Sequence, residues 1–192
     1  MSEKPEAAIS LSAAKQSADC ADAWQQRHAR RQRKAGRRVR MLPAGVLEGT
    51  SPRPETSALD AAAFLCRFPR PLSWLKLQDL LYFALAWHLV WDSELLFHEP
   101  VIATADGIRI DPVNDLLADK FEVTERQLRK AQPERLTESQ QRSLAGILDF
   151  YGHRSHFRLA ELIRQDAAWR QARTLGDAPV DTALLYRHYR DL

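Results

Sequence analysis

The sequence predicts a mainly α-helical protein. Residues 56–192 read as a compact helical domain built on a buried central helix, with a small β-hairpin, behind a disordered basic N-terminal tail over residues 1–55. Three observations predict this. The stretch from Leu80 to Trp91 is almost continuously apolar, with polar atoms only on Tyr82, His88 and the two indoles. Apolar residues recur at helical spacing in several later segments, as in Leu144, Ile147, Leu148 and Tyr151. The charge is split: residues 1–40 hold ten Lys/Arg against four Asp/Glu, whereas residues 41–192 hold eighteen against twenty-one.

The tail comes first in the chain. Arg27, Arg30, Arg31, Arg33, Lys34, Arg37, Arg38 and Arg40 form a run without an acid. Such a block is usually a solvated tail, and it can also contact nucleic-acid phosphates by counterion release. It lacks interleaved aromatics for base stacking. Met41 is an alternative start that would remove it. No apolar stretch near the N-terminus reads as a signal peptide, and the central apolar run is short of the ~20 residues a membrane span needs. Cys20 and Cys66 have no metal-ligand or redox spacing, so a reduced, cytoplasmic protein is expected.

Thr56 or Ser57 caps a first helix to about Phe68, ended by Pro69 and Pro71. Ser73 caps the central helix, with Leu72 and Leu77 at the positions of a hydrophobic staple. Val101–Ile110 changes to a two-residue period around Asp106-Gly107, which predicts a hairpin with that dipeptide in the turn. Asp111 is expected to cap a short helix to about Phe121, with Pro112 at its first position. Thr137 to Gln140 fits a capping box, and Gly152 is expected to end the following helix in a left-handed conformation. Ser155 and Asp181 cap later helices, and Trp169 and Ala172 continue the first of these or form a further turn.

Leu75-Lys76-Leu77-Gln78-Asp79-Leu80-Leu81-Tyr82-Phe83-Ala84, followed by Leu95-Leu96-Phe97-His98-Glu99, resembles the signature of the Panacea domain, a family that includes SocA-like antitoxins and phage-associated proteins. Asp79 stands where that family usually has Lys. Glu99, Ala103 and Gly107 match a second element, in which Thr104 and Ile108 replace its Trp and Pro. Tyr151-Gly152, Ser155, Leu159 and Trp169-Arg170-Gln171-Ala172-Arg173 resemble the family's later pattern, with Arg164-Gln165 in place of a Thr-His pair. The resemblance spans about 57–192 and implies a helical domain. It implies an antitoxin-like interaction domain that neutralises a cognate toxin, encoded by a neighbouring gene, through direct binding; adaptors for proteolysis also occur in the family. A nucleic-acid-associated protein using the Arg-rich tail is the alternative.

Candidate partner-binding residues are Trp74, Lys76, Gln78, Asp79, Tyr82, Phe97, Glu99 and Trp169, chosen for aromatic anchoring and for the polar patch on the central helix. The same polar residues could simply cap and solvate one edge of that helix. His153 and His156 straddle a helix break, and His88 is expected to bond Asp92 one turn on. No Ser/His/Asp grouping, P-loop or four-ligand metal pattern is readable. The sequence therefore predicts no enzyme, no cofactor and no metal.

Overall fold

The computed structural model describes residues 56–69 and 71–192. Thr56–Asp191 forms one compact unit. The expected tail, with its basic run from Arg27 to Arg40, lies outside the described residues. Among these there are seven α-helices and one hairpin: α1 (Ala58–Cys66), α2 (Trp74–Asp92), β1 (Val101–Thr104), β2 (Gly107–Ile110), α3 (Asp111–Leu117), α4 (Glu138–Tyr151), α5 (His156–Gln165), α6 (Ala167–Thr174) and α7 (Thr182–Arg190). Two short 3-10 turns, Glu125–Leu128 and Pro133–Arg135, punctuate the charged link before α4. The mainly helical fold with a small hairpin is as the periodicity predicts.

α2 is the core. Every residue from Leu77 to His88 is buried, because α1, α4, α5, α7 and β2 all pack against it. A helix covered on nearly every side needs no polar face, which accounts for its apolar run. Ser73 accepts from the Lys76 N–H and starts it, and Ser93 ends it in the left-handed conformation at φ 58°. Aromatic contacts tie it outward. The Phe83 ring stacks on Tyr151 of α4 at 4.3 Å, and Trp87 meets Tyr189 of α7 edge-on at 5.2 Å. The Trp87 indole N–H donates to the Tyr151 hydroxyl at 3.2 Å, which satisfies a donor that burial would otherwise strand.

The N-terminus of α1 is held from three sides. Ser57 and Asp60 form a reciprocal capping box. Asp60 also accepts from the Gln132 N–H at 2.5 Å, and the Glu99 carboxylate accepts from the Ala58 N–H at 3.0 Å. These bonds satisfy helix-start N–H groups with acids favoured by the helix dipole.

Several details differ from what the sequence predicts. The hairpin pairs Thr104 with Gly107, so Ala105-Asp106, not Asp106-Gly107, fills the turn. Gly107 follows the turn at φ 144°, where a side chain would be strained. α3 has Ile110, not Asp111, at its cap position, with no side-chain cap. It stops at Leu117 because Ala118 turns extended at ψ 139° and Asp119 left-handed at φ 65°, leaving Phe121 fully out in solvent at 97% exposure. Gly152 is right-handed, at φ −63°. Its need for glycine is one of space, since an added Cβ would lie 2.2 Å from the Leu148 carbonyl oxygen. Trp169 and Ala172 form their own helix, α6, because Asp166 ends α5 and caps α6 through the Ala168 N–H.

The outer edge of β1 is not left open. Ala103 donates to Ala178 and Val180 donates to Val101 at 3.0 and 2.8 Å. The segment before α7 thus lies along the strand as a short third partner and shields its unpaired backbone groups.

Candidate functional site

The polar residues at the start of α2 do more than solvate an edge. Each reaches a different element. Lys76 Nζ donates to the Gly152 carbonyl at 2.7 Å. Gln78 Oε1 accepts from the Ile110 N–H at 2.7 Å. Asp79 Oδ2 lies 2.6 Å from His156 Nδ1, and the Tyr82 hydroxyl donates to Asp166 Oδ2 at 2.5 Å. In an interior of low dielectric such satisfied bonds specify one packing arrangement. They fix α2 against the end of α4, the hairpin, α5 and the α5–α6 junction respectively.

A cleft of about 450 Å³ opens beside the Asp79–His156 pair. α2 contributes Trp74, Leu75 and Asp79; the hairpin contributes Thr104, Asp106 and Arg109; Asn114 and Asp177 stand at its sides. The hairpin wall is anchored from behind, since the Trp169 indole N–H donates to the Gly107 carbonyl at 2.7 Å. Arg109 is held by Asp111 at 2.7 Å, and Asp177 by Arg173. Phe157 is 83% exposed, and its ring lies 5.5 Å from that of His156. The cleft thus carries a half-buried Trp74 in its wall and an exposed aromatic beside it.

Asp79 is 2% exposed. Burial pushes its carboxyl up to about 6, against the pull of the His156 hydrogen bond, the His156 charge and Arg164. With Nδ1 committed to Asp79, the other ring nitrogen of His156 is the one available to the cleft. Asp166 is likewise raised by burial, which outweighs the charge of His188 and the bonds from Tyr82 and the Ala168 N–H. Tyr82 is raised well above its usual range, by burial first and then by the Asp166 charge, so it remains a hydrogen-bond donor.

Elsewhere a serine, a histidine and an acid do meet, which the sequence did not reveal. His88 Nδ1 lies 2.9 Å from Ser143 Oγ and 3.0 Å from Asp92 Oδ2. Both partners share one ring nitrogen, so no proton can pass from serine through the ring to the acid. The opposite nitrogen is buried without a partner, and burial lowers the imidazole below its usual range despite Asp92 and Glu94. This is a structural cluster, with His88 bonding Asp92 as expected. Cys66 is also unsuited to attack: burial, helped by the Glu125 charge, pushes its thiol up to about 12. Among the described residues no three His, Cys, Asp or Glu side chains are grouped to hold a metal, and no helix is long and apolar enough to cross a membrane.

Of the eight partner-binding candidates, Gln78, Asp79, Tyr82 and Phe97 are buried. Burial removes Gln78 and Tyr82 as direct anchors in this arrangement, Phe97 lines a narrow pit away from the cleft, and Asp79 reaches the cleft only as its floor. Trp74, Lys76, Glu99 and Trp169 are partly exposed. Trp74 lines the cleft, Lys76 and Glu99 are engaged with backbone groups, and Trp169 braces the hairpin. The sequence reading missed His156, Asp106, Asn114 and Phe157. The one available signal was Asp79, a lone acid entering a run that is otherwise apolar. No family model, curated protein or solved structure matches the chain.

Proposed function

We propose that this chain is an antitoxin-like interaction domain that neutralises a cognate toxin by direct binding, and that the cleft between α2, the hairpin and α5 is its main contact. The observation that carries the reading is the Trp74 wall with exposed Phe157 beside it, braced on rigid elements. Aromatic anchors next to a preformed depression are the usual centre of a binding interface. The resemblance of Leu75–Ala84 to the Panacea signature supports the same reading. Inhibition here means occupying toxin surface, with no chemical step.

The test is co-expression with the product of the neighbouring gene, scored by growth rescue and co-purification. Full-length chain and a form lacking residues 1–40 are compared, together with Trp74→Ala and Phe157→Ala. Rescue with a stable complex, kept without the tail and weakened by either substitution, is expected. Truncating an aromatic anchor costs about 2 kcal/mol or more of binding. Rescue that disappears with the tail would move the function to Arg27–Arg40, and absence of both rescue and complex would refute neutralisation of that product.

A further inference from the structure

A second depression lies at the other end of α2, away from the residues of the first cleft. It holds about 550 Å³ and is walled by Leu89, Leu95, Ala183 and Tyr186. The charged residues lining it are both cationic, Arg187 and Arg190. Arg187 uses Nε to reach the Ala183 carbonyl at 3.3 Å. Arg190 uses Nε for Asp191 at 2.8 Å and lies 5.7 Å over the Tyr186 ring. Among the described residues nothing else bonds the terminal amino groups of either. By contrast, Arg67, Arg158 and Arg173 spend a terminal amino group on a carboxylate of the same fold. A smaller pit of about 70 Å³ shares Leu95 and Thr182 with the groove and runs inward between Leu85, Phe97 and Leu185. Its acid, Glu99, is turned to the Ala58 N–H.

We propose that this groove binds an apolar segment of a partner protein that carries acidic residues, with one small aliphatic side chain in the pit and carboxylates on Arg187 and Arg190. The sign of the charge argues for the occupant. A basic or neutral segment would leave the terminal amino groups of both arginines to water, whereas carboxylates match them in a bidentate manner. The apolar wall supplies the buried area, and the arginines supply orientation and selectivity. The groove shares no lining residue with the Trp74 cleft, so this proposal stands independently of the toxin reading.

The test uses a displayed library of random twelve-residue peptides, panned on the full chain and on the double variant R187E/R190E. Circular dichroism and thermal unfolding check that the variant folds, as its two exposed sites permit. Peptides joining Asp or Glu to Leu, Ile or Val are expected from the wild type, with at least about tenfold weaker binding to the double variant. The double variant is expected to select Lys- or Arg-bearing peptides instead, and Ala183→Trp, which fills the groove, is expected to abolish binding by both charge classes. No enrichment, enrichment without acids, or equal binding to both proteins overturns the proposal. So does sedimentation showing a dimer that Ala183→Trp converts to monomer, because the occupant would then be a second copy.

Discussion

Asp79→Asn should make the domain more stable at alkaline pH. The carboxyl is raised from 3.8 to about 6 in the folded state. A group with a raised folded value stabilises the fold below its unfolded value, and that contribution is lost as pH rises through the folded one. Between pH 3.8 and pH 8 the wild type therefore loses the free energy of about two pKa units, on the order of 3 kcal/mol. Asparagine cannot ionise, and its Oδ1 can still accept from His156 Nδ1. At pH 8 the variant should exceed wild type by about 2–3 kcal/mol, an increase in melting temperature of roughly 10 °C for a domain of this size. Near pH 4 the two should converge. Urea unfolding of both proteins at pH 4, 6 and 8 gives the difference directly. Titrating groups remote from Asp79, His88 among them, are common to both proteins and cancel. A variant less stable than wild type at pH 8, or a difference that does not vary with pH, would show that the ion pair with His156 outweighs burial and would refute the reasoning.

Three further outcomes follow from single contacts. Tyr82→Phe removes a buried donor from Asp166 while leaving the ring's packing, and should cost about 1–3 kcal/mol in chemical denaturation; no loss would mean that Asp166 finds an equivalent donor. His88 is held below its ordinary value, so it stabilises the fold above the usual imidazole range and loses that contribution as pH falls. His88→Gln should therefore lose less stability than wild type between pH 7 and pH 5, and parallel curves would contradict the burial argument. Gly152→Ala forces a methyl into the Leu148 carbonyl and should cost about 1–3 kcal/mol, read as a lower melting temperature; a neutral effect would rule out the close approach.

The helices were legible because their local signals agree with the fold. Ser57, Ser73, Thr137, Ser155 and Asp181 all cap the helices they were expected to start. These signals act within one turn and need no knowledge of the rest of the chain. What periodicity missed depends on distance. Asp79 and His156 are separated by 77 positions, and Tyr82 and Asp166 by 84. No local pattern announces such pairs. The hairpin turn was misplaced by one residue because Asp-Gly is compatible with more than one register, and the pairing of Thr104 with Gly107 decides between them. Phe157 lies off the apolar face formed by Leu159, Leu162 and Ile163, and no local pattern links that exposed position to the cleft.

The burial of Gln78, Asp79 and Tyr82 changes what the stretch from Leu75 to Ala84 can mean. Its polar side chains fasten α2 to the hairpin, to α5 and to the α5–α6 junction. A motif used this way specifies an architecture, and chains sharing it can differ freely in what they bind. On the two proposals, selectivity comes from residues outside the motif's interior contacts: Trp74 and Phe157 at the first cleft, Arg187 and Arg190 at the groove beyond the other end of the central helix. In the proposed interaction the tethers also serve binding, because they hold the walls of the cleft at fixed positions before a partner arrives, and ordering them beforehand lowers the entropy cost of association. Substitutions at Tyr82 should accordingly weaken binding only as far as they loosen the fold. Those at Trp74 should weaken it without changing unfolding by a matching amount. The ratio of the two effects, measured on the same variants, separates an interior role from a contact.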